Sequence, residues 1–376
     1  MRQTTMNRSV PSPVYPIAEA ADTARAPLEE LVENAVWAPS GDNFQPWHFV
    51  LDHEASEISL YVDEAKDRSP LNHGYHMSRI ACGAAVETLI RVAGHAGWRA
   101  EPKRPVGGAL ATLRFRRGEP VPMPPHLIRA RVSNRRRFDG RTLRESVLER
   151  LEKATPDSGG IRTVWIHGRE RLAALAPIIG RAESIHWLDP GMRESFRNIV
   201  RFDRPAAERV AYGLPLAALE LPAYKRVLLQ VMLHSPSRVV AWSGMLALAR
   251  RHSRQLVESS SALCLGIAGD YSPDTDIAVG RALQRAWLAM TVEAMAVQVM
   301  MATCGLNDVL HFRPPCLDVT YHRDRIQALQ ADFRAQVPEL EPGLRPAFLM
   351  RVGYAAPPSG RTGRLPARDV IRDRHA

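Results

Sequence analysis

The chain has 376 residues, of which 45% are hydrophobic, so it can bury a substantial core in two domains or in one large one. Composition therefore excludes disorder over most of its length. Its 50 Lys and Arg residues outnumber 40 Asp and Glu, for a net charge of +10, but both signs are interleaved throughout. That mixing favours a solvated surface over a nucleic-acid-binding face. The four cysteines are far apart and match no zinc or disulfide spacing, so neither a metal site nor a disulfide framework is predicted.

The N-terminal residues 1–26 contain Pro11, Pro13 and Pro16 and no continuous apolar run. This predicts a flexible tail rather than a signal peptide. The most apolar region, at 227–248, is interrupted by polar residues at 235–238, which leaves segments too short to span a bilayer. We therefore expect a cytoplasmic protein without a membrane partner.

Apolar spacing in the first third of the chain predicts the order helix, strand, strand, helix, strand. These elements are a helix at Leu28–Trp37, strands at Trp47–Leu51 and Ile58–Val62, a helix at Met77–Trp98 and a strand at Leu110–Phe115.

The same order returns in the rest of the chain. The elements are a helix at Glu145–Ala154, strands at Thr163–Ile166 and Leu263–Ile267, a helix at Gly280–Met301 and a strand at Phe348–Val352. An insertion at about 178–260, rich in Leu, Arg and aromatic residues, predicts a helical cap. Such a cap either covers a site or adds only packing or an interface.

Residues 38–49, APSGDNFQPWHF, form the most specific segment and lie between a predicted helix and a predicted strand. Pro39 and Gly41 would end the helix and turn the backbone, whereas Ser40, Asn43 and Gln45 offer short hydroxyl and amide groups. Groups of that kind suit a polar heterocycle. A plain turn would explain the proline and the glycine but not the whole string.

This segment resembles the APSxxNxQPWxF segment of FMN-dependent nitroreductases, and every fixed position of that pattern is matched. In that family the segment contacts the flavin from across a dimer interface. The resemblance therefore implies flavin-facing roles for Ser40, Asn43 and Gln45, with Pro39 and Gly41 in the same cofactor-binding turn.

A second candidate is residues 129–138, RARVSNRRRF. Two guanidinium groups with a hydroxyl between them suit a phosphate dianion, because Arg presents a rigid fork of charged donors. The segment resembles the family's RxSxR phosphate motif, which implies that Arg131, Ser133 and Arg135 hold the FMN phosphate. In an Arg-rich chain, such triplets also occur on solvated surfaces.

Near the C-terminus, residues 345–354 (RPAFLMRVGY) predict a buried strand, and the sequence RTGRLP follows at 361–366. Together they resemble the family's closing strand and the basic segment after it. The resemblance implies that Arg364 returns to the phosphate. Where the family has the first basic residue of that segment, this chain has Thr362. The neighbouring Arg361 is therefore the candidate substitute.

The resemblance implies an α+β fold of two fused nitroreductase-like halves in a tandem, Acg-like arrangement. Each half would be a small mixed sheet flanked by helices, with boundaries at 27–125 and 126–376. The first half has segment 38–49 but no RxSxR motif, and the second half has the phosphate motifs but no counterpart of 38–49. One flavin site per chain is therefore expected, in a monomer or a weak homodimer.

The predicted function is that of an FMN-dependent enzyme, with NAD(P)H as co-substrate. It would move a hydride through flavin N5 between NAD(P)H, or an oxidisable substrate, and a small acceptor such as a nitro compound or a quinone. No catalytic side chain is identified. Three alternatives stay open: a non-catalytic FMN-binding protein with a lid, an FMN-dependent dehydrogenase or oxidase of a biosynthetic intermediate, and a basic nucleic-acid or partner-binding module.

Other candidate sites have weaker patterns. His73 and His76 share an HxxH spacing without a third ligand, and the aspartates at 270, 274 and 276 lack the spacing of a calcium loop. We expect the two histidines to be solvated, and no metal site is predicted at either place. The cysteines at 82, 264 and 304 lie in predicted core elements, so buried thiols are expected.

Overall fold

The computed structural model describes residues 26–124, 126–202, 211–313 and 319–373. The predicted N-terminal tail, except Ala26, and Cys316 lie outside the described residues. The helices are α1 (Leu28–Ala35), α2 (His76–His95), α3 (Leu127–Ala130), α4 (Glu145–Ala154), α5 (Arg169–Ile185), α6 (Pro190–Ile199), α7 (Ala223–His234), α8 (Ser237–Trp242), α9 (Met245–Glu258), α10 (Pro273–Val292), α11 (Ala302–Phe312) and α12 (Val319–Gln336). The strands are β1 (Trp47–Asp52), β2 (Glu57–Val62), β3 (Trp98–Lys103), β4 (Ala111–Arg117), β5 (Arg162–His167), β6 (Val200–Arg201), β7 (Leu214–Pro215), β8 (Ala262–Ala268), β9 (Ala296–Val299), β10 (Arg345–Gly353) and β11 (Ile371–Arg372).

The first sheet has the strand order β11-β1-β2-β4-β3. Its four N-terminal strands pair antiparallel, and β11 pairs parallel with β1, with Ile371 opposite Phe49. Trp47 and Phe49 alternate with half-buried residues along β1 and are fully buried in the core. The sheet therefore joins the last described strand of the chain to its first.

The second sheet has the order β5-β8-β10-β9 and contains only antiparallel pairs. Numbered in chain order, the four N-terminal strands of the first sheet and the four strands of the second are both arranged as first, second, fourth, third. In both, a short helix precedes the first strand, and a helix of 20 residues, α2 or α10, lies between the second and third strands. The fold is α+β, as predicted, and the predicted order of elements occurs around both sheets.

Helices α2 and α10 cross closely enough to require glycine on each side. A Cβ atom at Gly83 would lie 2.2 Å from the carbonyl oxygen of Ile277, and one at Gly280 would lie 1.8 Å from that of Ile80. No real Cβ atom approaches backbone so closely, so both side chains must be absent. The crossing brings the helices of the two sheets into direct backbone contact.

Buried ion pairs reinforce this crossing. Asp276 of α10 accepts hydrogen bonds from Arg79 of α2 at 2.7 Å and from Arg345 of β10 at 2.9 Å. About two turns further along α2, the buried Glu87 pairs with Arg281 at 3.2 Å and with Arg285 at 3.4 Å. With Arg91 also 3.1 Å from Glu87, the buried carboxylates of Asp276 and Glu87 have two and three guanidinium partners, which offset the cost of removing their charge from water.

Helices α5 to α9 and the short β6–β7 pair lie between β5 and β8. The start of this region buries Leu172, Leu175 and Ile179 in the core that also contains β8. The rest has a small core of its own, which includes Leu214 and Met232. The segment predicted at 178–260 is thus largely helical, and its first helix begins earlier because its apolar face packs on the second sheet.

The helix predicted at Gly280–Met301 is wrong after residue 292. Helix α10 begins at Pro273, where Ser272 Oγ accepts from the Thr275 amide at 3.2 Å, and ends at Val292. Ala294 has φ +52°, and β9 follows. Val297 lies in the buried strand β9, yet its position continues the apolar spacing of the helix before it. Apolar spacing alone does not distinguish a short buried strand from a helix.

Strand β3 was not predicted, because its charged residues and Pro102 break the alternation expected of a strand. Helices α11 and α12, between β9 and β10, were also not predicted. Among the helices of the described segments, none combines the length and apolar character needed to cross a bilayer.

We predict that Gly280→Ala destabilises the protein by about 1–3 kcal/mol, because the new methyl group forces α2 and α10 apart. Unfolding in urea, followed by circular dichroism, measures the change. The matched control is Gly94→Ala in α2, where a Cβ would meet only the Val121 side chain at 3.7 Å. Equal stability of the wild type and Gly280→Ala would contradict the close crossing.

Candidate functional site

Segment 38–46 leaves α1 and turns sharply before β1. Three of its non-glycine residues have left-handed backbone, with φ of +45° at Asp42, +60° at Asn43 and +54° at Gln45. Such conformations are costly for residues with a Cβ and persist only when the surroundings hold them. The Gln45 amide donates to Ser40 Oγ at 3.0 Å, which closes the turn.

The side-chain amides of Asn43 and Gln45 connect this turn to distant parts of the chain. Asn43 Oδ1 accepts from Arg364 at 2.8 Å, and Asn43 Nδ2 donates to the carbonyls of Gly363 and Gly213 at 3.2 and 3.3 Å. Gln45 Oε1 accepts from the Leu365 amide at 2.8 Å, and Gln45 Nε2 donates to the carbonyl of Ala211 at 2.9 Å. Two amides thus anchor both the C-terminal segment and the loop before β7.

The 131–136 loop is held against the second sheet by a buried arginine of β10. Arg351 is fully buried and donates to Gln298 Oε1 at 2.7 Å and to the carbonyls of Arg136 and Asn134 at 2.7 and 3.3 Å. The backbone N–H of Asn134 also donates to the carbonyl of Val297 in β9 at 2.7 Å. Burial and the nearby Arg135 lower the Arg351 pKa to about 9.

These segments surround a cavity of about 300 Å³ between α2, α10 and the C-terminal segment. This cavity, hereafter the central cavity, is lined by nine of the ten residues that the sequence proposes for cofactor binding. They are Pro39, Ser40, Gly41, Asn43, Arg131, Ser133, Arg135, Arg361 and Arg364. The tenth, Gln45, is fully buried beside the cavity and is bonded to protein groups instead of lining its wall.

Four guanidinium groups concentrate positive charge here. Arg131 is buried and donates to the carbonyl of Trp37 at 2.8 Å, while the half-buried Arg135 donates to that of Ala218 at 3.1 Å. Arg364 bonds Asn43 and Thr362, and the exposed Arg361 donates to the carbonyl of Arg129. Among the described residues, none of the four has a carboxylate within ion-pair distance.

The electrostatics of the site follow from this arrangement. Burial lowers the Arg131 pKa, and the charges of Arg364 and Arg361 lower it further. Burial and Arg361 likewise bring the Arg364 pKa to about 10. In the described part of the chain, the buried Nε atoms of both Arg131 and Arg364 have no hydrogen-bond partner. Desolvated cations with unused donors are suited to an anionic ligand.

Two acidic residues also line the central cavity. Burial raises the pKa of Asp67 to about 7, although the Ser69 amide bonds the carboxylate and opposes the shift. Burial also raises the pKa of Asp42, and the charge of Arg135 opposes that shift. Neither carboxylate balances the four guanidinium groups, so the cavity favours an anion.

The remaining walls are largely apolar. Trp287 and Leu283 come from α10, Ile80 and Ala84 from α2, and Trp37 follows α1. The Arg131 guanidinium lies over the Trp287 ring at 4.4 Å from its centroid. The cavity therefore combines a cationic part with walls that suit a flat aromatic group.

Sequence reasoning missed several residues of the site. Trp37, Trp287 and Arg351 have the spacing of ordinary core residues, and an arginine inside an otherwise apolar strand was the one available signal for Arg351. Insertion residues Met192 and Leu214 also reach the wall of the cavity, and only the tertiary structure places them there.

The expectation of solvated histidines is wrong for His76, whereas His73 is exposed. His76 is fully buried, its Nε2 lies 3.2 Å from the Leu71 carbonyl, and burial lowers its pKa to about 3. Asp276 belongs to the ion pairs between α2 and α10. Cys82, Cys264 and Cys304 are buried free thiols, as predicted.

No family model matches the chain. The uncharacterized protein MT1398 of Mycobacterium tuberculosis is 26% identical over 349 residues, covering 89% of this chain and 46% of that protein. The chain thus spans about half the length of this curated relative.

Three solved structures are similar to part of the chain. The FMN-dependent nitroreductase NfnB of Mycobacterium smegmatis, in complex with NADPH, has a TM-score of 0.35 at 15% identity, covering 66% of this chain and 96% of its own. A nitroreductase-like protein of Bacillus cereus has a TM-score of 0.32 at 14% identity, covering 65% and 91%. An iodotyrosine deiodinase bound to FMN and 3-iodo-L-tyrosine also has a TM-score of 0.32 at 14% identity, covering 64% and 93%. At these scores the likeness carries no weight of its own, and the topology and the central cavity have to support any assignment.

Replacing Arg351 with Met should destabilise the protein by about 3 kcal/mol, because buried carbonyls of the 131–136 loop lose their donor. Thermal unfolding measures the loss. Arg368→Met is the control, since the Arg368 side chain is 85% exposed and should change stability little. A variant as stable as the control would show that Arg351 does not hold the loop.

Proposed function

We propose that this chain is an FMN-dependent oxidoreductase of the nitroreductase superfamily, built from two fused halves with one flavin site. One observation carries the proposal. The residues that match two separate flavin-binding motifs and a C-terminal basic segment lie up to 325 positions apart, from Pro39 to Arg364, yet line one cavity.

The cationic part of the cavity fits a phosphate monoester. Arg131, Arg135, Arg361 and Arg364 supply charged donors, and Ser133 adds a hydroxyl. The two unpartnered Nε atoms give this part unused hydrogen-bonding capacity. A dianion placed among these groups would also relieve the mutual repulsion that lowers the pKa values of Arg131 and Arg364.

The remainder of the cavity fits a flat heterocycle. Trp37, Trp287 and Leu283 supply apolar surface, and Ser40 adds a hydroxyl to the wall. The side-chain amides of Asn43 and Asn72 also line the wall but are bonded to protein groups. FMN bound here would supply two-electron, hydride-transfer chemistry between NAD(P)H, or an oxidisable substrate, and a small organic acceptor such as a nitro compound or a quinone. The side chains of this chain would orient the ring, exclude water from it and anchor its phosphate.

A single site per chain is supported by the unequal content of the two halves. Both sheets share one strand order, and α2 and α10 meet through paired glycines, as two copies of one unit would. Only the first half supplies the Ser40–Gln45 turn, and only the second supplies the arginine segments at 131–135 and 361–364. A monomer or a weak homodimer follows, because fusion already provides the interface between the halves.

We predict that purified protein binds FMN and that the double variant Arg131→Ala/Arg135→Ala binds it at least about 100-fold more weakly, because two charged hydrogen bonds to the phosphate are lost. Quenching of FMN fluorescence during titration measures the dissociation constant. Arg137→Ala is the matched control, since Arg137 belongs to the same run but is exposed and does not line the cavity.

Titration with riboflavin, which lacks the phosphate, tests whether the arginines act on that group. Riboflavin should bind the wild type and the double variant equally, and the circular dichroism spectra of both proteins should agree. Equal FMN affinity in all variants would overturn the assignment of these arginines. A folded wild type that binds no FMN would overturn the proposed function.

A non-catalytic FMN-binding protein is a second candidate, favoured by the position of the insertion. The central cavity is lined in part by the insertion residues Met192, Leu214 and Ala218. Hydrogen bonds from Asn43 and Gln45 hold the loop before β7 in place. Such a cover would bar nicotinamide from the flavin.

We predict that anaerobic NADPH or NADH bleaches the visible absorbance of the FMN-loaded protein. Unchanged absorbance with both would favour the non-catalytic candidate.

A further inference from the structure

A second and larger cavity, of about 630 Å³, lies under the insertion, which covers the second sheet at this point. It is hereafter the insertion chamber. It adjoins the central cavity, with which it shares wall residues. These are Asp42, Ser69, Leu71, Arg135, Met192, Leu214, Val299 and Met301. A molecule bound in the chamber would therefore reach the edge of the central cavity.

The walls of the insertion chamber are mainly apolar and come mostly from the insertion. Trp187 and Phe196 meet edge to face at 5.0 Å between ring centroids, and leucine and methionine side chains of α7 and α9 also line the chamber. A cavity of this size and character suits an apolar molecule larger than a single ring, since its burial removes apolar surface from water.

A lysine interrupts the apolar wall. Lys225 Nζ lies 2.9 Å from His252 Nδ1, which joins α7 to α9. Burial and the charges of Lys225 and Arg351 lower the His252 pKa to about 4, so the imidazole is neutral and accepts the hydrogen bond. Lys225 is half-buried, and this partial burial lowers its pKa from the ordinary value of a lysine. The lysine retains two further N–H donors.

Lys225 has no counter-charge on the wall. Across the described residues, no carboxylate lies within ion-pair distance of it or of Arg251, which also lines the chamber. Of the two carboxylates on the wall, Glu183 accepts a hydrogen bond from the Ala302 amide at the start of α11, and Asp42 lies near Arg135. Both acidic groups thus interact elsewhere, and the basic side chains are left to face a ligand.

We infer that the insertion chamber binds the electron-exchanging substrate of this protein, and that this substrate is an apolar molecule with an acidic group, a carboxylate or a phenolate, bound by Lys225. Its body would extend past Met192 and Leu214 toward the central cavity. The inference rests on the proposed function, because a flavin in the central cavity is what makes the adjoining chamber a substrate site.

Two fluorescent probes of similar shape and different charge test the chamber without any turnover. Anilinonaphthalene sulfonate is an apolar anion, and N-phenylnaphthylamine is its neutral analogue. With the FMN-loaded protein, Lys225→Met should weaken binding of the anion about tenfold, as expected when a charged hydrogen bond is lost, and should leave binding of the neutral probe unchanged. Lys153→Met is the matched control, since Lys153 is exposed on α4.

Two further variants separate the chamber from the protein surface. Leu228→Trp places a large side chain on the half-buried wall of the chamber and should weaken both probes. Trp242→Ser removes an indole that is 90% exposed and should weaken neither. If Lys225→Met affected both probes equally, or if Trp242→Ser abolished their binding, the chamber would not be the anion site.

Competition and flavin content complete the test. NADPH should not displace the anionic probe, because a nicotinamide dinucleotide presents several phosphates to a mainly apolar chamber. Displacement would make the chamber a nicotinamide site and would overturn the inference. The FMN content of each variant is measured in parallel by visible absorption. Full FMN content with unchanged binding of the anion would refute the substrate site alone, whereas an absence of FMN in every protein would refute the proposed function itself.

Discussion

Four guanidinium groups surround one cavity, and none of them has a carboxylate of the described residues within ion-pair distance. This is the constraint on which the other features of the site depend. Removing a cation from water is costly unless opposite charge or hydrogen bonds compensate for it. Here backbone carbonyls, such as those of Trp37 and Ala218, compensate in part. The rest of the compensation is left to a ligand, and this favours a dianion over a neutral molecule.

Polar side chains rather than a continuous core hold the converging segments together. Asn43 and Gln45 bind both the C-terminal segment and the loop before β7, while Arg351 holds the 131–136 loop against β9 and β10. Their own strained or buried positions depend on the elements around them, namely the turn after α1 and the apolar second sheet. The site therefore forms only when both sheets and the C-terminal strand β11 are in place.

The residues that the sequence singled out lie in short motifs, where the residue types alone indicate the chemistry. The hydroxyl and amide groups at 40–45 and the arginines at 131, 135, 361 and 364 were all singled out, and the structure brings them together. Gln45 had suitable chemistry, but its direction away from the cavity depends on a left-handed turn of non-glycine residues that no local pattern reveals.

Long-range packing explains most of what the sequence did not reveal. Trp37 and Trp287 have the spacing of ordinary core residues, and only the tertiary arrangement of α1, α2 and α10 brings their side chains to one cavity. Strand β9 was taken for part of a helix because buried residues of both elements are apolar. The insertion chamber depends on contacts between α7 and α9, such as Lys225 with His252, that no motif predicts.

The central claim, one flavin site assembled from the two halves of a single chain, is tested most directly by native mass spectrometry of the full chain after incubation with excess FMN. The account predicts a bound mass of one FMN per chain, already complete on the monomer. Two FMN molecules per chain, or FMN bound only to a dimer, would contradict the fused single site, and an absence of bound FMN would contradict the flavin assignment.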